Sequence, residues 1–422
     1  VNAGHVRSIW SFPAFRRVFF AKAVSAAGSY MQLVAATWYV FHLTGNATSV
    51  GVLSALALGP AMVGGPLGGA LVDRFDPRRL AVVLCLLQAL PVAAMAVLDR
   101  TGELSLWSFY ALVFVGAIPF SLNQPVITLM TPYTVPVECR QSALALSSMM
   151  FNLTRLGGAI AGGFTVEQLG WGAAFAANAA SYLLLAVVLA ATPLESDVSQ
   201  AARPGRSGGV RDGIRDARRT MSESGLRRVI RLTAIGVAVF FTFIAPIEQL
   251  MPTVVDERGM TASALGLLIG AIGVGAVLAN PIIGRTSAFG DHRRRLMIAG
   301  LFLAAAGMIG LALAHFGGLP TALAGAALVG FGWEFVFVGG QSTVALDVPD
   351  TVRGRAMGLF FVLVTATAAL GAVALGEAID IFGIMATFLG SAAVVVLAAV
   401  VLLMVDSPRV ARPPSPGFTA AA

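Results

Sequence analysis

Charge is scarce in this chain. Asp, Glu, Lys and Arg make up 12% of its 422 residues, against about 25% in an ordinary soluble domain. That shortage excludes a hydrated globular surface and points to a protein that meets lipid over most of its outside. Lysine is nearly missing: Lys22 stands alone among many arginines, a composition that hints at a GC-rich bacterial genome. Cysteine is nearly missing too. Cys85 falls in an apolar run and Cys139 in a short polar turn, neither with a Cys or His at ligand spacing, so neither disulfide nor metal is implied. The four histidines, His5, His42, His292 and His315, lie at run ends or in tails. No H-E-x-x-H and no Ser-His-Asp arrangement is visible, so no catalytic constellation, enzyme activity or cofactor is expected. G-x-x-x-x-G-K-[ST] is also missing, because Lys22 is followed by Ala, which excludes ATP as the direct energy source.

What the chain has instead is long apolar runs. Hydrophobic residues supply 57% of it, and the mean hydropathy is +0.83. A spanning helix needs about 20 mostly apolar residues. That template finds about twelve, near 15–41, 49–72, 80–98, 104–130, 142–166, 171–192, 228–251, 262–288, 295–315, 319–345, 356–378 and 383–405. Backbone polar groups in lipid must be paired within their own segment, so these runs are helices. The first run follows Arg7, Arg16 and Arg17, is longer than a signal-peptide core, and is expected to span.

The net charge is +7, yet the arginines sit in short turns between runs, so they mark topology rather than a nucleic-acid surface. They collect on one side, which places both termini and the long linker in the cytoplasm; the opposite loops hold only Arg100 and Arg258. The expected organisation is a bundle over 1–192, a cytoplasmic linker over 193–227, a second bundle over 228–405 and a tail over 406–422. Within the linker, Val210, Ile214, Ala217 and Met221 share one helical face, with Arg211, Arg215, Arg218 and Arg219 on others. That pattern suits a basic amphipathic helix on the anionic inner leaflet, or a docking site for a soluble partner.

The chain repeats itself. G-A-L-V-D-R-F-D-P-R-R (Gly69 to Arg79) returns in weakened form as G-R-T-S-A-F-G-D-H-R-R (Gly284 to Arg294). V-P-V-E-C-R-Q-S-A-L (Val135 to Leu144) returns as V-P-D-T-V-R-G-R-A-M (Val348 to Met357) at nearly the same offset. Such a parallel repeat is the mark of a transporter built from two related halves. In the first copy Gly69 permits close helix approach, and Asp73 is placed to pair with Arg74, Arg78 or Arg79 or to cap a neighbouring helix. The second copy has Ala288 where Asp73 would be, so a latch at Asp73 would serve one half only.

The first copy resembles the signature loop between helices 2 and 3 of the major facilitator superfamily. Gly69, Leu71, Asp73, Arg74 and Arg78 match it; Asp76 replaces the usual Gly and Pro77 the usual Arg. F-R-R-V-F-F-A-K-A-V-S-A-A-G-S-Y-M-Q (Phe15 to Gln32), W-Y-V-F-H-L-T-G (Trp38 to Gly45) and R-G-R-A-M-G-L (Arg353 to Leu359) resemble its enterobactin-exporter-like branch. The resemblance covers nearly the whole chain. It implies an all-α integral membrane fold of about twelve transmembrane helices in two six-helix pseudo-symmetric bundles, alternating access, and export of small molecules such as siderophores or drugs. Gating roles are expected, from their place in the duplicated turns at the seam of the halves, for Gly69, Asp73, Arg74, Arg78, Arg353 and Arg355. The antiporter element G-P-x-x-G-G of helix 5 survives as G-G-A-I-A-G (Gly157 to Gly162). Gly158 replaces the Pro, and Gly157, Gly158 and Gly162 remain for helix packing.

A charge at the bilayer centre costs about 2.5–3.5 kcal/mol on insertion scales. Runs 3, 6, 9 and 12 carry none, matching the lipid-facing helices that the resemblance implies. Lys22, Arg155, Glu248 and Glu334 fall within runs 1, 5, 7 and 10. Glu334, between aromatics, could carry a coupling proton, bind a cationic substrate group or pair with an arginine. Glu248, between Pro246 and Pro252, could take proton or substrate at an outer gate, or be a partly solvated residue near a helix end. Arg155 cannot deprotonate and could hold an anionic substrate or partner Glu334. Lys22 could bind substrate or snorkel to the inner surface. Asn123, Gln124 and Gln341 are candidate hydrogen-bonding cavity residues. The expected function is export of a small amphipathic molecule by proton antiport from the bacterial plasma membrane, with protons, substrate and lipid as partners. The alternatives are import or facilitation of a nutrient on the same fold, and a non-transporting receptor, scaffold or enzyme.

Overall fold

A computed structural model describes residues 9–72, 74–130, 134–136, 139–192, 224–286, 290–348 and 350–405. The first half holds α1 (Pro13–Thr44), α2 (Ala47–Leu58), α3 (Ala61–Val72), α4 (Pro77–Thr101), α5 (Leu106–Met130), α6 (Arg140–Leu169) and α7 (Trp171–Ala191). The second holds α8 (Ser224–Phe243), α9 (Ile247–Asp256), α10 (Ala262–Thr286), α11 (Gly290–Asp347), α12 (Asp350–Phe382) and α13 (Ile384–Met404). The proposed linker helix around 210–221 and the tail from 406 lie outside the described residues.

Local chemistry sets the ends and breaks. Pro13 opens α1, and Gly45, at φ 68, closes it with its amide on the Phe41 carbonyl. Asn46 caps α2 by accepting the Ser49 amide at 2.8 Å. Asp76, the departure from the family loop, is the N-cap of α4: its Oδ1 accepts the Arg79 amide at 2.8 Å, with Pro77 as the first helical residue. Short breaks split two spans, at Gly59–Pro60 between α2 and α3 and ahead of Pro246 between α8 and α9. The 58-residue stretch α11 turns back at Gly318 (φ 66, ψ −160) and is two spans.

Among the described residues, ten stretches are long and apolar enough to cross a membrane. One of them, Arg293–Asp347, contains the turn at Gly318, and α6, less apolar because it carries Arg155, completes about twelve crossings. Within the first half α1 packs on α6 and α7, and α4 on α5 and α7; within the second, α8 packs on α11, α12 and α13. The halves meet along α2 with α12 and α6 with α10. Large apolar side chains on the outer faces of α4, α7 and α13 are exposed, among them Leu90, Val187 and Leu397. These are spans 3, 6 and 12, whose interiors carry no charge.

Candidate functional site

The site begins with the inward stripe of α6. Asn152, Arg155, Ala159, Gly162 and Val166 recur at helical spacing and are buried, while Phe151, Leu153, Ile160 and Phe164 are exposed. The stripe therefore turns the guanidinium of Arg155 into the protein, where it is 3% exposed. A charge so placed needs a partner, and α9 supplies it. Glu248, in the first turn after the break at Pro246, accepts from Arg155 Nε at 2.8 Å through Oε1. Its Oε2 lies 2.7 Å from Arg155 Nη2, so two oxygens face two nitrogens of the planar fork.

The second wall is α11. The Trp333 ring lies 4.7 Å from Arg155 Cζ, a cation–π contact. Phe240 and Phe241 of α8 set their rings edge-on to Trp333, at 5.6 and 5.3 Å. Glu334 follows Trp333 and is 9% exposed, with Asn152 and Arg155 facing its carboxyl. Tyr30 of α1 lies within electrostatic reach of Arg155, Glu248 and Glu334. The group thus draws on both halves, through α1 and α6 on one side and α8, α9 and α11 on the other. It holds two carboxylates against one guanidinium.

The structure therefore brings together Arg155, Glu248 and Glu334 and corrects their pairing. Arg155 partners Glu248 rather than Glu334, and Glu248 is buried at 5% exposure rather than partly solvated. Lys22 is half-buried on α1, about two turns before Tyr30. Gln341 is half-buried about two turns beyond Glu334. Asn123 is turned away from the cluster, its Nδ2 donating to Cys85 Sγ at 3.3 Å, and Gln124 is exposed on α5. Tyr30 escaped the sequence reading because an aromatic in an apolar run looks like core, and Trp333 entered it only as one of the aromatics flanking Glu334.

The packing glycines divide. A Cβ on Gly158 would stand 2.5 Å from the Ala27 carbonyl oxygen, and one on Gly162 2.7 Å from Met31 Cα, so both let α1 lie against α6. A Cβ on Gly157 would meet nothing within 4 Å among the described residues, contrary to the expected packing role. Of the gating candidates, Gly69 lies in α3, Arg74 is exposed in the turn after it, and Asp73 is outside the described residues, as is Ala288. Arg78 reaches into its own half, with Nε on the Leu189 carbonyl at 2.8 Å and Nη2 on the Ala190 carbonyl, at the end of α7. Arg353 is half-buried and donates to the Val348 carbonyl at 3.4 Å, and the Arg355 side chain is outside the described residues.

A family model described as transmembrane secretion effector matches residues 8–415. The chain is 24% identical to the multidrug efflux pump Tap of Mycolicibacterium fortuitum over 93% of its length and 95% of that protein. It is 24% identical to the enterobactin exporter EntS of Shigella dysenteriae over 97% of its length and 95% of that protein. In fold it is similar to a mutant of the nucleoside transporter NupG, with a TM-score of 0.76 at 12% identity, covering 93% of this chain and 99% of that one.

Proposed function

The chain belongs to the transmembrane secretion effector family of the major facilitator superfamily, and from that premise we propose that it exports small amphipathic molecules by proton antiport. It is a multi-pass membrane transporter and not an enzyme. The observation that carries the finer reading is the buried cluster shared between the halves, in which Glu334 is the carboxylate left over once Glu248 is committed to Arg155.

Arg155 stays charged throughout, and Glu248 neutralises it. Glu334 can then gain or lose a proton without leaving a buried arginine unpartnered. Protonated, it leaves the group neutral; ionised, it leaves one negative charge beside Trp333 and Tyr30. That charge suits either a proton or the cationic end of an amphipathic substrate, whose apolar body would meet the aromatic wall. Exchange of one for the other is antiport. Names of exporters among the relatives support the outward direction. The arginine-rich turns support a plasma-membrane protein with termini and linker in the cytoplasm. With that orientation the tight glycine contacts between halves, among the described residues, lie from mid-membrane to the outer side, as for Gly163 on Ala262 and Gly273 on Leu156, which supports an inward-facing state.

The test is metabolite and drug profiling of cells with and without the protein, followed by transport of the identified substrate in vesicles. Glu334→Gln should insert normally and lose gradient-driven export. Undiminished export by that variant, or export unchanged after collapse of the proton gradient, would remove Glu334 from the mechanism.

A further inference from the structure

The seam between the halves is built twice from the same parts. Asp380 of α12 reaches across to the start of α2, accepting the Ala47 and Thr48 amides at 2.8 Å each and the Thr48 hydroxyl at 2.6 Å. Glu167 of α6 reaches the other way, to the start of α10, accepting the Ser263 amide at 3.1 Å with the Thr261 and Ser263 hydroxyls also facing it. Beside each carboxylate a glycine removes the space between backbones. A Cβ on Gly376 would meet the Ala47 carbonyl, and one on Gly163 the Ala262 carbonyl. A turn further in, the roles reverse: Gly51 of α2 lies on the Ala372 carbonyl, and Gly266 of α10 on the Ala159 carbonyl.

These are the same contacts under the internal repeat. Ala159, Gly163 and Glu167 map onto Ala372, Gly376 and Asp380 at one constant offset. Ala47, Thr48 and Gly51 map onto Ala262, Ser263 and Gly266 at another. All six positions keep residues of the same chemistry, although the signature turn has decayed in its second copy.

We infer that Glu167 and Asp380 are a duplicated pair of latches that hold the two halves together at the α1–α2 end and release when that end opens. In each, the carboxylate belongs to one half and the helix start to the other, so rocking of the halves must separate them. The attraction is that of an anion for the free amides at a helix start. Both carboxylates are exposed, so water can replace either partner as the seam parts. The α2 helix also keeps its own cap, since Asn46 serves the Ser49 amide independently. The glycine contacts are backbone against backbone and strand no buried charge when they separate. The inference rests on alternating access, and neither substrate nor proton enters its test.

The experiment is hydrogen–deuterium exchange on the full chain in lipid nanodiscs, comparing the parent with Glu167→Ala, Asp380→Ala and the double variant. Because the halves move as bodies, either single substitution should raise uptake at both seams, α2 with α12 and α6 with α10, and the double should raise it most. A rise confined to the first turn of α2 in Asp380→Ala, or of α10 in Glu167→Ala, would reduce each carboxylate to a local cap and overturn the inference. So would an unchanged double variant. If the double variant fails to insert, Thr48→Cys with Asp380→Cys, in a chain carrying Cys85→Ala and Cys139→Ser, decides. Oxidation of that pair should lower uptake at the distant α6–α10 seam and reduction should restore it; no change there would sink the latch.

Discussion

Arg155 is permanently charged and almost wholly enclosed, and the neighbouring residues make sense as its consequences. Glu248 neutralises it, Trp333 covers its face, and Asn152 comes with it on the same side of α6. Removing one partner of a buried pair is far worse than removing both, because the survivor is left charged in a poor solvent. Glu248→Gln should therefore destabilise the protein, by less than the roughly 3–5 kcal/mol of a fully stranded charge because an ionised Glu334 can take part of the pairing. The pair of substitutions Arg155→Leu and Glu248→Leu should recover most of that loss. Thermal unfolding of the detergent-purified protein measures both; a double variant no more stable than the single one would refute the pairing. The presence of these charges in apolar runs was legible in the sequence, since each stands out against its neighbours. Their pairing was not, because the break ahead of Pro246 decides where Glu248 faces, and no periodicity crosses that break.

Between elements, small residues and arginine caps do the positioning. In lipid there is no hydrophobic force between helices, so close backbone approach has to hold them together. Gly158 makes that approach to Ala27, and its repeat mate Gly371 makes it to Thr242. A β-branched side chain at Gly158 would overpack the α1–α6 contact at about 1–3 kcal/mol. Gly158→Val should thus lower the yield of monodisperse protein in size-exclusion chromatography, while Gly157→Ala, in open space, should not. In each half one arginine of the duplicated turn reaches the end of that half's last helix, although in the repeat Arg78 aligns with Arg293 and Arg294 with Arg79. Arg78 of α4 donates to the last carbonyls of α7, and Arg294 of α11 to the Leu402 and Val405 carbonyls at the end of α13. A cation at a helix C-terminus contributes about 0.3–1 kcal/mol. Arg78→Gln and Arg294→Gln should each lower the melting temperature slightly and by similar amounts; a fall for one alone would break the equivalence. Gating was the role expected of Arg78 from the loop motif. The contacts show an anchor between α4 and α7 of one half, a distinction that depends on where α7 ends in space.

At the scale of the whole molecule, a symmetric frame surrounds an asymmetric centre. The seams repeat almost residue for residue, whereas Arg155 has Ala368 at its repeat position, and Ala is neither charged nor able to hold Glu248. A frame of equal halves can rock, and a single cluster shared between them without a repeat mate can bias that motion by what it binds. The orientation proposed for the frame is open to direct measurement. In a chain freed of its native cysteines, Glu103→Cys should react with an impermeant maleimide added outside intact cells, and Arg140→Cys only after permeabilisation. The opposite pattern would invert the topology and with it the inward-facing assignment.

The sequence by itself determined the class, the number of spans, the duplication and the residues that would have to explain themselves in lipid. Each of these follows from local composition: apolar length, scarcity of charge, and motifs that repeat along the chain. The tertiary structure alone decided which charges pair, which glycines pack and which carboxylates reach across the seam. Those outcomes depend on the rotation and end point of one helix relative to another. A glycine against a carbonyl, or an aspartate on another helix's first amides, has no signature within its own segment.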